Sequence, residues 1–179
     1  KEKHYSHKVA ATGEISLGAF LDNRLIGVAQ FGRPINKYLH LHIVENTKWN
    51  DFLELNRLVL IDETPKYSES RFIKICILLI KKNAPHIKWI MSFADATQCG
   101  DGTIYRASGF QLTAVKESTQ IVETPKGERV TRMTLTQVGN PKRARIMREC
   151  GIKDTGASSI NLFLNAGCKN IVGFQNRYI

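Results

Sequence analysis

Acidic side chains are scarce in this chain of 179 residues: 16 Asp and Glu stand against 26 Lys and Arg, for a net charge of +10. Such an imbalance points to a polyanionic partner, nucleic acid first. The surplus is uneven. From Gly139 onward there are seven basic and two acidic residues, half of the excess in 41 positions. Cysteine is sparse as well. Cys76, Cys99, Cys150 and Cys168 form no C-x-x-C pair, which argues against a structural zinc site and fits reduced thiols in cytoplasm. No apolar run approaches the roughly 18 residues needed to cross a bilayer, and no secretory leader is visible. Repeats and low-complexity tracts are missing. A hydrophobic share of 42% excludes wholesale disorder. The sequence opens at Lys1 rather than at methionine, so residues upstream of it are expected.

What is present reads as alternating strands and helices. Residues 15–20 and 24–31 form a hairpin around Asp22-Asn23. Residues 38–44 fit a short strand or irregular chain, and 50–55 are ambiguous. Residues 56–61, apolar from Leu58 to Ile61, read as a central strand buried on both faces. A polar loop, 62–69, precedes a helix over 70–82, whose apolar positions recur at three and four residues. Ser68 or Ser70 is the expected cap. Strand 88–94, helix 103–107 and strands 111–118 and 129–136 follow, the last two around Pro125-Lys-Gly127. A helix over 141–150 opens the tail, with weak elements at 160–164 and 170–174. The order gives an α/β layer with a mixed central sheet flanked by helices. The chain divides into a catalytic domain, 1–138, and a basic C-terminal extension, 139–179.

Chemistry concentrates where strand 88–94 ends. Asp95 stands at the carboxyl end of a strand, a common position for active groups in α/β layers. It either caps the following turn or serves as base or orienter. Tyr105 either packs its ring or offers its hydroxyl. Cys99, in the same loop, is a weak candidate nucleophile with no thiolate-stabilising partner evident. Before helix 70–82 the loop Asp62-Glu-Thr-Pro-Lys-Tyr-Ser-Glu-Ser70 has no glycine and three acids. Ser68, Ser70 and the free N–H groups of the helix start are candidate phosphate holders, with Lys66 and Arg71 as counter-charges. Arg57 and Arg106 are candidate phosphate contacts. Trp49, in polar surroundings, is a candidate stacking surface, and Trp89 reads as core. Lys142, Arg143, Arg145 and Arg148 form a basic stripe on the tail helix, suited to a nucleic-acid backbone. His40-Leu-His42 would share one face of a strand and reads as a surface pair rather than a metal site.

The ending Tyr105-Arg-Ala-Ser-Gly-Phe110 resembles the closing motif of the GNAT acyltransferase fold. With Lys3-His-Tyr-Ser6, Gly27-Val-Ala-Gln-Phe-Gly-Arg-Pro34, Glu54-Leu-Asn-Arg57 and Phe93-Ala-Asp95, it resembles the Mom family of phage DNA-modification proteins. The resemblance implies a GNAT-like fold over roughly residues 13–137. It also implies conversion of adenine in double-stranded DNA to N6-carbamoylmethyladenine in the cytoplasm of an infected bacterium, which shields the DNA from restriction. Catalytic roles then fall on His4, Tyr5, Asp95 and Tyr105, with bound iron at these four residues, and a donor-site role on Ser70. Beyond Gly139 no motif of the family is matched.

The product has the atoms of glycinamide joined through its own nitrogen, which makes glycyl-tRNA the candidate donor and tRNA a second nucleic-acid partner. That donor accounts for the missing glycine-rich loop and for the positive charge. Acetyl-CoA with an iron-assisted step is the competing donor chemistry. Two other readings stay open: an acetyl-CoA-dependent N-acetyltransferase acting on a small amine or protein, and a non-catalytic nucleic-acid-binding module.

Overall fold

The computed structural model describes residues 13–36, 38, 40–97 and 100–179. Its strands are hydrogen-bonded in the order β1-β2-β3-β4-β7-β5-β6, a mixed seven-stranded sheet with helices in the connections. This is the α/β plan expected from the sequence. The chain falls into two compact units, cut differently from the 1–138 and 139–179 division drawn from sequence. The first takes its described residues from Lys1–Ala94, Asp101–Ala114 and Asn176–Ile179, the second from Asp95–Gly100 and Val115–Gln175.

In the first unit β1 (Gly13–Leu21) and β2 (Arg24–Gly32) pair antiparallel. Asp22 and Asn23 both take positive φ, 47° and 61°, which two-residue hairpin turns demand and short polar side chains tolerate. β2 pairs antiparallel with β3 (Phe52–Leu60). Residues 40–44 form turns and bends, with no strand among them. Helix α1 (Ser68–Asn83) then leads to β4 (Trp89–Asp95), which runs parallel to β3. Of the stripe that helical periodicity predicts, Phe72, Ile73, Cys76, Ile77, Leu79 and Ile80, α1 buries Phe72, Ile73, Cys76 and Ile80, while Leu79 is exposed. These residues pack with Ala29, Phe31, Leu53, Leu55, Ile90, Ala94, Phe110 and Tyr178 in one core. Short helix α2 (Thr103–Ala107) spans the residues expected.

The second unit has its own core of Val122, Val130, Leu135, Ile146, Met147, Phe163 and Cys168. β5 (Leu112–Glu123) turns back at Gly127, φ 79°, into β6 (Arg129–Thr131). The strand expected over 129–136 stops there. Residues Arg132–Thr136 form helix α3, because the Thr131 side chain accepts from the Thr134 N–H at 3.2 Å and caps a helical turn. α4 (Pro141–Glu149) begins with Asn140 as cap and Pro141 in the first turn, as the sequence implied. Residues 160–164 resolve into helix α5 (Asn161–Asn165), and 170–174 lie within a ten-residue strand, β7 (Lys169–Tyr178). The basic tail thus supplies a strand to the sheet. Gly173 belongs to it for a steric reason, since a Cβ there would overlap the Thr97 side chain.

Candidate active site

The polar block Glu54-Leu-Asn-Arg57 distorts β3. Gln30 pairs with Arg57 and Phe31 with Leu55, so Asn56 is an extra residue with no partner in β2. That is a β-bulge, a device that re-aims side chains and is enriched beside active sites. The parallel β3–β4 ladder also stops here. Its pairs are Phe52 with Trp89, Leu53 with Ile90 and Glu54 with Met91. One step beyond, the Ser92 hydroxyl still reaches the Leu55 carbonyl at 3.5 Å. The Asn56 Oδ1 atom is buried with no hydrogen-bond partner among the described residues. Glu54 is half-buried, and burial pushes its carboxyl above the ordinary range against the opposing charge of Arg57.

His40 comes to the same strand end. Its ring lies 6.0 Å from that of Phe93, tilted by 59°. The Nδ1 atom is buried without a partner among the described residues. Burial lowers the pKa of this imidazole, and Arg177 and His42 lower it further, which favours the neutral ring. Because residues 40–42 form a turn, His40 and His42 do not share a strand face. The Tyr105 hydroxyl approaches the Phe93 carbonyl at 3.5 Å, and its ring packs with Phe110 and Tyr178 at 5.8 and 5.5 Å. Phe93 thus meets an imidazole and a phenol, and it lies two residues before Asp95 on β4.

Tyr105 is positioned by a braced turn. Gly102, at φ 79°, caps α2, and a Cβ on it would overlap the buried Tyr178 ring. The Tyr178 hydroxyl donates to the Asp101 carbonyl and accepts from Arg106 at 2.9 Å. Arg106 also meets the Asp101 carboxylate at 2.7 Å, an ion pair that holds this acid below the usual carboxylate range after the larger effect of its Thr103 hydrogen bond. The guanidinium expected to seek phosphate is therefore engaged in bracing this turn. Asp95 ends β4 in the second unit, where its Oδ1 accepts from the Thr97 N–H at 2.9 Å. His4, Tyr5 and Cys99 lie outside the described residues.

At the start of α1 the expected cap is corrected. Tyr67, at φ 69°, occupies the cap position, and no side chain caps the helix. Ser70 is buried, its hydroxyl donating to the Tyr67 carbonyl at 3.1 Å, while its own carbonyl accepts from the Ser108 hydroxyl. An open groove of about 430 Å³ lies here, lined by Asp62, Thr64, Lys66, Tyr67 and Glu69 among others. Of the four candidate donor contacts only Lys66 lines it; Ser68, Ser70 and Arg71 do not. A groove of about 560 Å³ at the other end of α1 holds none of the predicted site residues.

The remaining candidates fall in two classes. Trp49 is half-buried, edge-on to Phe52 at 5.6 Å, and Arg57 donates to the Asn56 carbonyl at 2.7 Å. The basic stripe on α4 is broken. Arg143 is buried, with only 1% of its surface exposed. It donates to the Leu135 and Ala157 carbonyls at 2.9 and 2.8 Å and meets Asp154 at 3.4 Å, so backbone contact by this residue is overturned. Lys142 and Arg145 pair with Glu128 at 3.0 and 2.7 Å. Arg148 is exposed. Asn56 and His40 were not singled out as site residues from sequence, although polar residues interrupting an apolar strand were a signal for the first.

Among the described residues no three His, Cys, Asp or Glu side chains gather to hold a metal ion. Of the proposed iron ligands, Asp95 and Tyr105 are described, in different units. The described residues thus do not by themselves supply a ligand set. No described helix is long and apolar enough to cross a membrane.

The family model of the Mom protein family matches residues 1–178. The methylcarbamoylase mom of Escherichia phage Mu is 37% identical over 118 residues, covering 65% of this chain and 48% of that protein. The chain thus spans about half the length of this curated relative. Among solved structures, a GNAT-family acetyltransferase from Streptococcus pneumoniae aligns with a TM-score of 0.44 at 14% identity, over 60% of this chain and 58% of the other. Aminoglycoside acetyltransferase AAC(6')-Ib with coenzyme A and kanamycin gives 0.43 at 16% identity, over 69% of each chain.

Proposed function

The chain belongs to the Mom protein family, and on that premise we propose that it is a phage DNA-modifying transferase converting adenine to N6-carbamoylmethyladenine. The observation that carries this reading is the family match over residues 1–178, joined by 37% identity to a methylcarbamoylase of phage Mu. Charge agrees, since a chain at +10 is suited to a polyanionic substrate. Its place of action is the cytoplasm of the infected host.

The adenine N6 amine is a weak nucleophile, because its lone pair is delocalised into the ring. A duplex also hides it, so the base is extruded into a pocket. In our scheme the donor is a glycyl ester of tRNA. N6 attacks the ester carbonyl, the N6–C bond forms, the C–O bond breaks, and the N6 proton passes to the departing ribose hydroxyl. The glycyl amine then attacks ring carbon C6 and gives up a proton, the original C6–N6 bond breaks, and the old N6 takes that proton to become the amide nitrogen. Atoms balance, and nothing is oxidised or reduced. Asp95 serves as base or orienter, and Tyr105 hands a proton to the leaving oxygen. His4 and Tyr5 complete the set by family analogy. Lys66 and the start of α1 hold donor phosphates, while Lys142, Arg145 and Arg148 lie along the DNA backbone.

Expression in bacteria followed by mass spectrometry of DNA nucleosides tests the reading. We expect a mass-shifted deoxyadenosine that disappears in Asp95→Ala and Tyr105→Phe. Unaltered nucleosides from soluble, full-length protein would refute it.

A further inference from the structure

Two buried polar atoms at the end of the β3–β4 ladder have no partner among the described residues: Asn56 Oδ1 and His40 Nδ1. A buried donor or acceptor without a partner is costly and rare in folded proteins, so each calls for a ligand. Both belong to the first unit and both address one strand end. Asn56 is the bulge residue of β3, two positions past the last ladder pair, the level that the register sets against Phe93. The His40 ring packs against Phe93 itself, and the Tyr105 hydroxyl sits at the Phe93 carbonyl.

We propose that Asn56 and His40 form the acceptor-base subsite, reading an exocyclic amine next to a ring nitrogen. This rests on the functional reading above. The amide oxygen accepts from the N6–H of the extruded adenine. The neutral imidazole carries one N–H and one lone pair, and its Nδ1–H donates to the neighbouring ring nitrogen. Among the DNA purines, adenine alone presents an amine donor beside an imine acceptor on its Watson–Crick edge, and the same pair on cytosine sits on a smaller ring system. Hypoxanthine puts a carbonyl and an N–H there and meets both groups with the wrong sign. A site built to bond an amine rejects an analogue lacking it, because the site's polar atoms are then stranded. The bulge makes this possible. It lifts one residue out of the β2–β3 pairing and leaves its amide oxygen without a partner among the described residues.

The test uses the full chain and hairpin DNAs with randomised flanks, in which adenine or hypoxanthine stands opposite an abasic site. Wild type should bind the adenine hairpin roughly tenfold to a hundredfold more tightly. Asn56→Leu should bind both hairpins like wild-type protein on hypoxanthine. It should also melt at an equal or higher temperature, because it removes a buried acceptor that no protein group satisfies. A lowered melting temperature would make Asn56 a structural residue and overturn the proposal. Retained adenine preference in Asn56→Leu, beside a wild type that modifies DNA, overturns the subsite but leaves the function standing. A wild type that neither modifies DNA nor distinguishes the hairpins overturns both.

Discussion

Gly102→Ala should cripple the turn that carries Tyr105, by an amount the structure lets us work out. At φ 79° an alanine occupies left-handed space at a cost of about 1–2 kcal/mol. The added Cβ also overlaps the Tyr178 ring. That ring cannot retreat cheaply. It is buried in the core, and its hydroxyl is tied to the Asp101 carbonyl and to Arg106. Overpacking of this kind costs about 1–3 kcal/mol. Together the terms predict roughly 2–5 kcal/mol, or a fall in melting temperature of about 4–20 °C for a chain of this size. Thermal and urea unfolding measure it. A double-mutant cycle isolates the clash: in a Tyr178→Ala background the same substitution should cost only the backbone term, about 1–2 kcal/mol. A single-mutant loss below about 1 kcal/mol, or strict additivity with Tyr178→Ala, would refute the argument.

Arg143→Met should destabilise by about 2–4 kcal/mol in urea titrations, since it strands the Leu135 and Ala157 carbonyls, while leaving the salt slope of DNA binding unchanged. Arg148→Ala should do the reverse, sparing stability and flattening the log–log salt slope by about one. Glu54→Gln tests the buried carboxyl. Its folded pKa is raised, so the native state binds the proton more tightly than the unfolded chain. The group is then without penalty below the unfolded carboxylate pKa and opposes folding increasingly as pH rises through the folded one. The variant should therefore gain stability over wild type at pH 7 but not at acid pH, and a pH-independent difference would count against this account. Isotope-labelled glycine fed to expressing cells should place its carbons and nitrogen in the modified base, and unlabelled product would eliminate the glycyl donor.

Local chemistry made much of this fold legible. Asp22-Asn23 announces its turn, the three-and-four spacing of Phe72, Ile73, Cys76 and Ile80 announces α1, and Asn140-Pro141 announces α4. What failed depended on partners distant in sequence. Residues 132–136 carry strand-like composition, yet one threonine cap bends them into a helix. β7 looks weak because its support comes from neighbouring strands, which no local window contains. Charge alone assigns Arg143 to the basic stripe, yet its spacing to Ile146 and Met147 puts all three on one helix face, so its burial is legible in the pattern. Asp95 and Tyr105 stood out as residues, but a missing hydrogen-bond partner is a tertiary property. Asn56 and His40 therefore acquire meaning only in the folded chain.

The strand order has a kinetic corollary. β4 and β5 are separated by a short stretch of chain, yet they cannot zip together, because the slot between them waits for residues 169–178. A ribosome-bound chain that has exposed everything through β5 therefore carries two unmatched edges, the kind of surface that invites pairing with other molecules. Completion requires a late, long-range insertion, which loop-closure entropy makes slow. Heat or stalled synthesis should thus yield aggregates rather than partly active fragments.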